Sequence, residues 1–135
     1  MIIGLVAGVF DLCHAGHVLM LEEAKSQCDY LIVALHADPS LEHLDKKRPV
    51  MSVDERETIL RGIKYVDEVV RYASEQELLG LLQSRPIDLR ILGIEYRHRS
   101  FTGSALPMNF HFTARDHGFS STQLRQRVCA AERVA

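Results

Sequence analysis

Short, unbroken apolar blocks alternate along this chain with longer stretches in which apolar positions recur at helical spacing. "MIIGLVAG", residues 1 to 8, carries no charge, is rich in β-branched residues and stops at glycine, the pattern of a strand buried on both faces. From His14 the period changes. Val18, Leu21 and Ala24, with Leu19 and Met20 close by, line one helical face, and Glu22, Glu23 and Lys25 fall largely outside it. "YLIVAL", residues 30 to 35, repeats the strand pattern, and the polar stretch after it, residues 36 to 50, has the prolines and charges of a long loop. Loops of that length tend to carry function.

Ser52 and Glu55 have capping-box spacing, which predicts a helix starting there and running through Ile59 and Leu60 towards Gly62. "VDEVV", residues 66 to 70, is a short strand candidate. Ser74 and Glu77 repeat the capping spacing ahead of a second helix that Pro86 ends. "DLRILG", residues 88 to 93, and "NFHFTA", residues 109 to 114, read as further strands, and "SSTQLRQRV" offers serine caps and a helical period. Strands separated by helices imply right-handed crossovers and an α/β fold with a parallel sheet covered on both faces. Ligands of such sheets bind beyond the carboxyl ends of the strands, here residues 9 to 14, 36 to 50, 93 to 104 and 115 to 121.

At 135 residues, 47% of them hydrophobic, the chain suffices for one domain, residues 1 to 135, with a real core. Sixteen basic and 18 acidic side chains are interspersed for a net charge of −2, so no global field attracts nucleic acid or an anionic membrane. No apolar run approaches the roughly 20 residues of a membrane span, and the N-terminus lacks the order of a secretory signal; a cytoplasmic location is expected. Cys13, Cys28 and Cys129 are scattered with no CxxC pair, which favours packed, reduced thiols over a disulfide framework or structural zinc.

The chemistry gathers in "GVFDLCHAGH", residues 8 to 17. If a helix begins near His14, both His14 and His17 lie on one side of its first turn, beside free backbone N–H groups and the positive end of the helix dipole. Such a place suits an anion, with Gly16 leaving room for a phosphate and Gly8 allowing a sharp turn. Alternatives are a capping His14 with a packed His17, a zinc pair that lacks further ligands, and a dinucleotide loop that lacks the GxGxxG triplet. A second cluster joins Arg115 to Ser120, Ser121 and Thr122 at a predicted helix start, where hydroxyls, open N–H groups and a guanidinium bind phosphate oxygens, or where one serine simply caps. Lys46, Lys47 and Arg48 add a basic element that also reads as a solvated charge run. Glu95, Tyr96, Arg97, His98 and Arg99, at a strand end, offer an acceptor-phosphate site or plain surface charge. Asp11 has either an acceptor-orienting or a turn-forming role.

"GVFDLCHAGH", "KKRPVMSVDER", "IKYVDEVV" and "RDHGFSSTQLR", in that order over nearly the whole chain, resemble the nucleotidyltransferase superfamily with the HxGH motif, and within it the cytidylyltransferase family of the glycerol-3-phosphate cytidylyltransferase type. The resemblance implies a Rossmann-like three-layer α/β/α domain that moves a nucleotidyl group from a nucleoside triphosphate to a phosphorylated acceptor, with Mg²⁺ accompanying the triphosphate. It assigns catalysis to His14, His17, Lys46 or Lys47, and Arg115. It places Val9, Phe10, Gly16, Gly118, Phe119, Ser120, Ser121 and Thr122 against the nucleotide, and leaves Asp11, Glu95, Tyr96 and Arg97 for the acceptor. Val9 stands where most members have threonine, and Gln76, Glu77 and Leu78 occupy the region where the type has a lysine for glycerol phosphate. The expected partners are CTP and a small phosphorylated acceptor, with no nucleic acid, and the resemblance implies a homodimer. Alternatives are an ATP-dependent adenylyltransferase of the same superfamily, acting on a sugar phosphate, pantetheine phosphate or FMN, and a nucleotide-binding module without turnover.

Overall fold

The computed structural model describes residues 1–114 and 116–133. Its elements are β1 (Ile3–Gly8), α1 (Ala15–Ser26), β2 (Tyr30–His36), α2 (Val53–Arg61), β3 (Glu68–Tyr72), α3 (Glu75–Ser84), β4 (Leu89–Gly93), β5 (Asn109–Thr113) and α4 (Ser121–Arg133), with short 3₁₀ turns at Pro39–Leu41 and Ile94–Tyr96. The five strands make one wholly parallel sheet in the order β3-β2-β1-β4-β5. Chain direction across the sheet therefore reverses at β1, and β1 and β4 are the neighbours between which a ligand crevice opens.

Alternation along the strands divides the core into two layers. Val6, Leu31, Val33, Leu35, Val69 and Ile91 pack with Leu21 and Ala24 of α1 and Leu60 of α2 on one face. Leu5, Ile32, Ala34 and Tyr72 pack with Leu78 and Leu82 of α3 on the other. The expected three-layer α/β/α arrangement with a central parallel sheet is present.

Local chemistry sets the ends. Ser52 and Glu55 close the reciprocal capping box on α2, and Gly62 caps its C-terminus. Ser74 caps α3, but Glu77 turns to the N–H of Ala73 instead of completing a box. Two details differ from the sequence reading. Val18 and Leu19 are exposed, because the face of α1 that meets the sheet runs through Gly16, Leu21 and Ala24. β3 begins at Glu68, since the N–H of Val66 still closes the turn onto the carbonyl of Ile63. All three cysteines are free thiols, and Cys129 is exposed on α4 where a packed thiol was expected.

Candidate active site

The loop from β1 to α1 is strained at the two residues flanking Asp11. Phe10 and Leu12 both have left-handed backbone angles, φ 52° and 51°, which non-glycine residues adopt only when their surroundings dictate it. Gly8, expected to supply the sharp turn, has ordinary angles and instead leaves space for the Phe10 ring, which lies 2.9 Å from where a Cβ would stand. The loop is fixed by Asp11, whose carboxylate accepts the N–H groups of Val50 (2.8 Å) and Met51 (2.9 Å) and the Arg125 guanidinium of α4 (2.9 Å). Burial opposes ionisation of Asp11, but these bonds outweigh it and hold the carboxyl below the usual carboxylate range.

His14 and His17 begin α1 as a capping box made of two imidazoles. Nδ1 of His14 accepts the N–H of Gly16 (3.0 Å), and Nδ1 of His17 accepts the N–H of His14 (3.1 Å). The capping alternative and the anion-site reading thus coexist. Because both Nδ1 atoms act as acceptors, the hydrogen-bond network assigns the proton of each neutral ring to Nε2. The rings lie 4.1 Å apart, centroid to centroid, and Phe10 backs His17. Burial first, and then the positive charge of a protonated His14, push His17 down to about 4, so it is neutral near pH 7.

α4 brings its N-terminus to the same place. Ser120 caps the helix by accepting the N–H of Gln123, whereas Ser121 turns its hydroxyl to Nε2 of His14 at 3.2 Å. Gly16 permits this approach: a Cβ there would stand 2.9 Å from His117 and 3.0 Å from Phe119. Two helix N-termini, with their positive dipole ends, thus meet beside two Nε2–H donors. The arrangement is suited to a polyanion.

These groups line one cavity of about 740 Å³. Of the residues singled out from sequence, Val9, Phe10, His14, Gly16, His17, Lys46, Glu95, Tyr96, Phe119, Ser120, Ser121 and Thr122 border it. Lys47, Gly118, Asp11 and Arg97 do not. Lys46 and Lys47 were indistinguishable in sequence, and only Lys46 reaches the cavity wall. Asp11, expected near the acceptor, is 8% exposed, with its carboxylate committed to the loop and α4. Arg115 lies outside the described residues.

Several residues of the site were not foreseen. Arg56, 2% exposed, donates to the carbonyls of Val9 (3.1 Å), His36 (2.7 Å), Ala37 and Met51, and so ties the carboxyl ends of β1 and β2 to α2. Arg125 attaches α4 to Asp11. The far wall is formed by His36, Tyr72, Glu75, Arg90 and Thr102. Nearby, Glu42, His43 and Glu75 cluster at metal-ligand spacing, but Glu42 caps α3 through the N–H of Glu75 and Glu75 accepts the Thr102 hydroxyl (2.6 Å), so both carboxylates have structural work.

A parallel sheet of this order, with an anion cradle at its switch point, defines a nucleotide-binding α/β domain. The chain belongs to the cytidylyltransferase-like family of nucleotidyltransferases, whose sequence model matches residues 5–127. It is 32% identical over 122 residues to the bifunctional protein HldE of Helicobacter pylori (strain ATCC 700392 / 26695), covering 90% of this chain and 26% of that protein. With the bifunctional protein HldE of Caulobacter sp. (strain K31) it shares 39% over 103 residues, 76% of this chain and 21% of that one. The chain thus spans about a quarter of the length of these relatives. Among solved structures, the lipopolysaccharide core biosynthesis protein of Thermoplasma volcanium GSS1 superimposes with a TM-score of 0.62 at 22% identity, covering 98% of this chain and 89% of that one. A putative nicotinate-nucleotide adenylyltransferase of Vibrio parahaemolyticus gives 0.62 at 14% identity, covering 97% and 89%. Among the described residues no helix is long and apolar enough to cross a membrane.

Proposed function

We propose that this domain transfers a cytidylyl group from CTP to a small phosphorylated polyol or sugar, with release of pyrophosphate. The observation that carries the reading is the meeting of the two helix N-termini, His14 Nε2 lying 3.2 Å from Ser121 Oγ in a cavity at the switch point of the sheet. An acceptor phosphate oxygen attacks the α-phosphorus in line. The bond from that phosphorus to the bridging oxygen breaks, and the electron pair leaves with pyrophosphate. The protein contributes position and electrostatic stabilisation. Nε2–H of His14 and of His17 donate to the phosphate oxygens, Ser120, Ser121 and Thr122 add hydroxyls and N–H groups, and Lys46 supplies a mobile cation. Arg115 is proposed as a further cation. The backbone at Val9 and Phe10, with Phe119, borders the nucleoside.

His17 is neutral near pH 7, which spares it repulsion from His14, and a polyanion beside it would favour its charged form as negative charge builds on the leaving group. Mg²⁺ would accompany the triphosphate as part of the substrate, the Asp11 carboxylate of the β1–α1 loop being already engaged by three N–H donors.

The test is pyrophosphate release from CTP and from ATP at equal Mg²⁺, across a panel of phosphorylated polyols and sugars. The expected result is turnover with CTP exceeding that with ATP by at least about tenfold, a difference of about 1.4 kcal/mol in transition-state binding. Preference for ATP would move the chain to adenylyl transfer. Tight nucleotide binding with no pyrophosphate from any acceptor would leave a binding module.

A further inference from the structure

The far wall of the cavity differs chemically from the histidine end. Arg90 sits in β4 between Leu5 and Phe110 of the neighbouring strands, on the face covered by α3, and is 5% exposed. A guanidinium so placed would be expected to have a carboxylate, yet no described carboxylate oxygen comes within 4 Å of it. One of its NH₂ groups donates to the carbonyl of Thr102 (2.8 Å), the Phe101 ring lies 5.7 Å away, and Nε has no partner among the described residues. Gly103 makes the Thr102 contact possible. Its φ of +87° is a glycine conformation, and a Cβ there would stand 2.7 Å from Leu82.

His36 closes β2 beside its register partner Tyr72, on which its ring stacks at 4.6 Å. It is 4% exposed, and its Nε2 is also without a partner. Two buried side chains that line one cavity thus each keep a polar atom unused among the described residues, a condition that is unfavourable until something fills it. Rotation of either side chain towards the cavity it already lines offers that nitrogen to a ligand.

We infer that His36, Tyr72, Glu75, Arg90 and Thr102 form the seat for the body of the acceptor, and that this body is neutral and rich in hydroxyl groups. The inference rests on the nucleotidyl-transfer reading and adds which residues of this chain hold and select the second substrate. Arg90 Nε–H only donates, so it requires an oxygen. The free nitrogen of His36 donates or accepts according to its tautomer, and a hydroxyl serves it in either case. Burial keeps the His36 ring neutral by lowering its pKa, so it does not demand an anion. An apolar or aromatic body would leave both nitrogens unsatisfied. A carboxylated body would suit Arg90 but bring its charge against Glu75, whose field reaches both Arg90 and His36. Adjacent hydroxyls on a short carbon chain or a sugar ring meet all of these demands together. This wall lies on β2, β3, β4, α3 and the loop ahead of β5, and takes no residue from the Glu95 to Arg97 turn expected to hold the acceptor.

The experiment measures pyrophosphate release at saturating nucleotide with the acceptor varied among glycerol 3-phosphate, ribose 5-phosphate, mannose 1-phosphate and propyl phosphate, which has no hydroxyl on its body. The wild-type protein should use at least one hydroxylated acceptor about a hundredfold better than propyl phosphate, as a site built to bond hydroxyls does. Arg90→Met should raise the KM for that acceptor about tenfold, keep the KM for nucleotide within about twofold, and shrink the preference over propyl phosphate to below about tenfold. Glu75→Gln, an isosteric change at a half-buried helix start that can still accept the Thr102 hydroxyl, should move the acceptor KM in the same direction by about threefold, and decides the matter if Arg90→Met loses its cooperative melt. An active wild type whose two variants keep the acceptor KM, or lose nucleotide KM equally, overturns the seat and leaves the transfer reading standing. Equal use of propyl phosphate does the same. Absence of pyrophosphate from every acceptor with CTP and with ATP overturns the transfer reading itself.

Discussion

The two ends of the cavity are built on opposite rules. At the histidine end the polar atoms are occupied by the protein's own backbone: two imidazole Nδ1 atoms cap α1, Asp11 holds three N–H donors, and Arg56 reaches four carbonyls. The exception there is Arg125, whose Nε lacks a described partner although its NH₂ holds Asp11. At the far wall, His36 and Arg90 keep polar atoms that nothing among the described residues meets. On the proposed function, the difference separates two tasks. A triphosphate presents the same charges whatever base it carries, so its cradle is finished before it arrives and its donors stay in position. An acceptor must be chosen among similar molecules, and a wall with unsatisfied groups gains selectivity because a wrong ligand leaves them unsatisfied.

Breaking the finished end should have the largest consequence. Arg56→Ala removes the donor shared by the ends of β1 and β2 and leaves several carbonyls without their partner, so stability should fall by about 3 to 5 kcal/mol. Urea unfolding reads this as a lower midpoint at unchanged slope. A loss under about 1 kcal/mol would mean that water replaces the guanidinium and that the histidine end is less fixed than the bonding implies.

His17 gives the next effect. Its folded value of about 4 lies below the unfolded value near 6.5, so between those pH values the unfolded chain binds the extra proton and the folded one does not. Stability is therefore retained above about pH 6.5 and drains away as the pH falls towards 4, by up to about 3 kcal/mol from this residue. His36, also depressed by burial, adds loss in the same direction, whereas Asp11, held below its usual range, contributes only at more acid pH. His17→Ala isolates the first share. Its stability should decline less between pH 6.5 and 4 than that of the wild type, and its pyrophosphate release at pH 7.5 should fall by at least about a hundredfold, about 2.7 kcal/mol of barrier. A parallel decline with pH would show that His17 titrates normally in the fold. An unimpaired rate would remove the imidazole from the mechanism.

The same contrast governs what could be read in the sequence. The histidine end was legible because most of it comes from local pattern: a charge-free run ended by glycine, two imidazoles at helical spacing, and serines at a helix start. The capping boxes made α2 and the start of α3 readable for the same reason. For Asp11 the sequence left an acceptor-orienting and a turn-forming role open, since its partners Val50, Met51 and Arg125 lie 39, 40 and 114 residues away and no local spacing announces them. The far wall was missed for a similar reason, being assembled from four elements and a loop whose order in space is not their order in sequence. One signal was available. In "DLRILG" an arginine interrupts a run otherwise fit for a buried strand, and a charge at such a position is more informative than any apolar residue around it. His36 and Tyr72, each the last residue of its strand, also sit where a parallel sheet meets its ligands.

Arg125 tests whether the histidine end acts as one unit. Its bond to Asp11 is the described ion pair joining α4 to the β1–α1 loop, and Ser121 meets His14 one helical turn earlier on the same helix. Arg125→Gln should leave the sheet folded but loosen that approach, with a loss of about 2 kcal/mol, or roughly thirtyfold, in kcat/KM for nucleotide. Asp11→Asn should weaken the same link, and the double variant should cost less than the sum of the single ones because the two share one interaction. Full additivity would separate Arg125 from Asp11 and assign it an independent role at the helix.

Lys46 and Lys47 provide the smallest and sharpest comparison, since adjacent lysines differ here only in where the loop aims them. Lys46 borders the cavity and Lys47 does not, although both are exposed. An exposed cation reaching a triphosphate contributes modestly through solvent, so Lys46→Ala should raise the KM for nucleotide about tenfold, or about 1.4 kcal/mol, and Lys47→Ala by less than about twofold. Raising the salt concentration should shrink the first effect, because screening weakens a solvent-exposed charge pair far more than the backbone bonds around His14 and His17. Equal losses in both variants would mean that the loop closes over bound nucleotide with both amines engaged. No loss in either would leave the phosphates to the helix ends and the imidazoles alone.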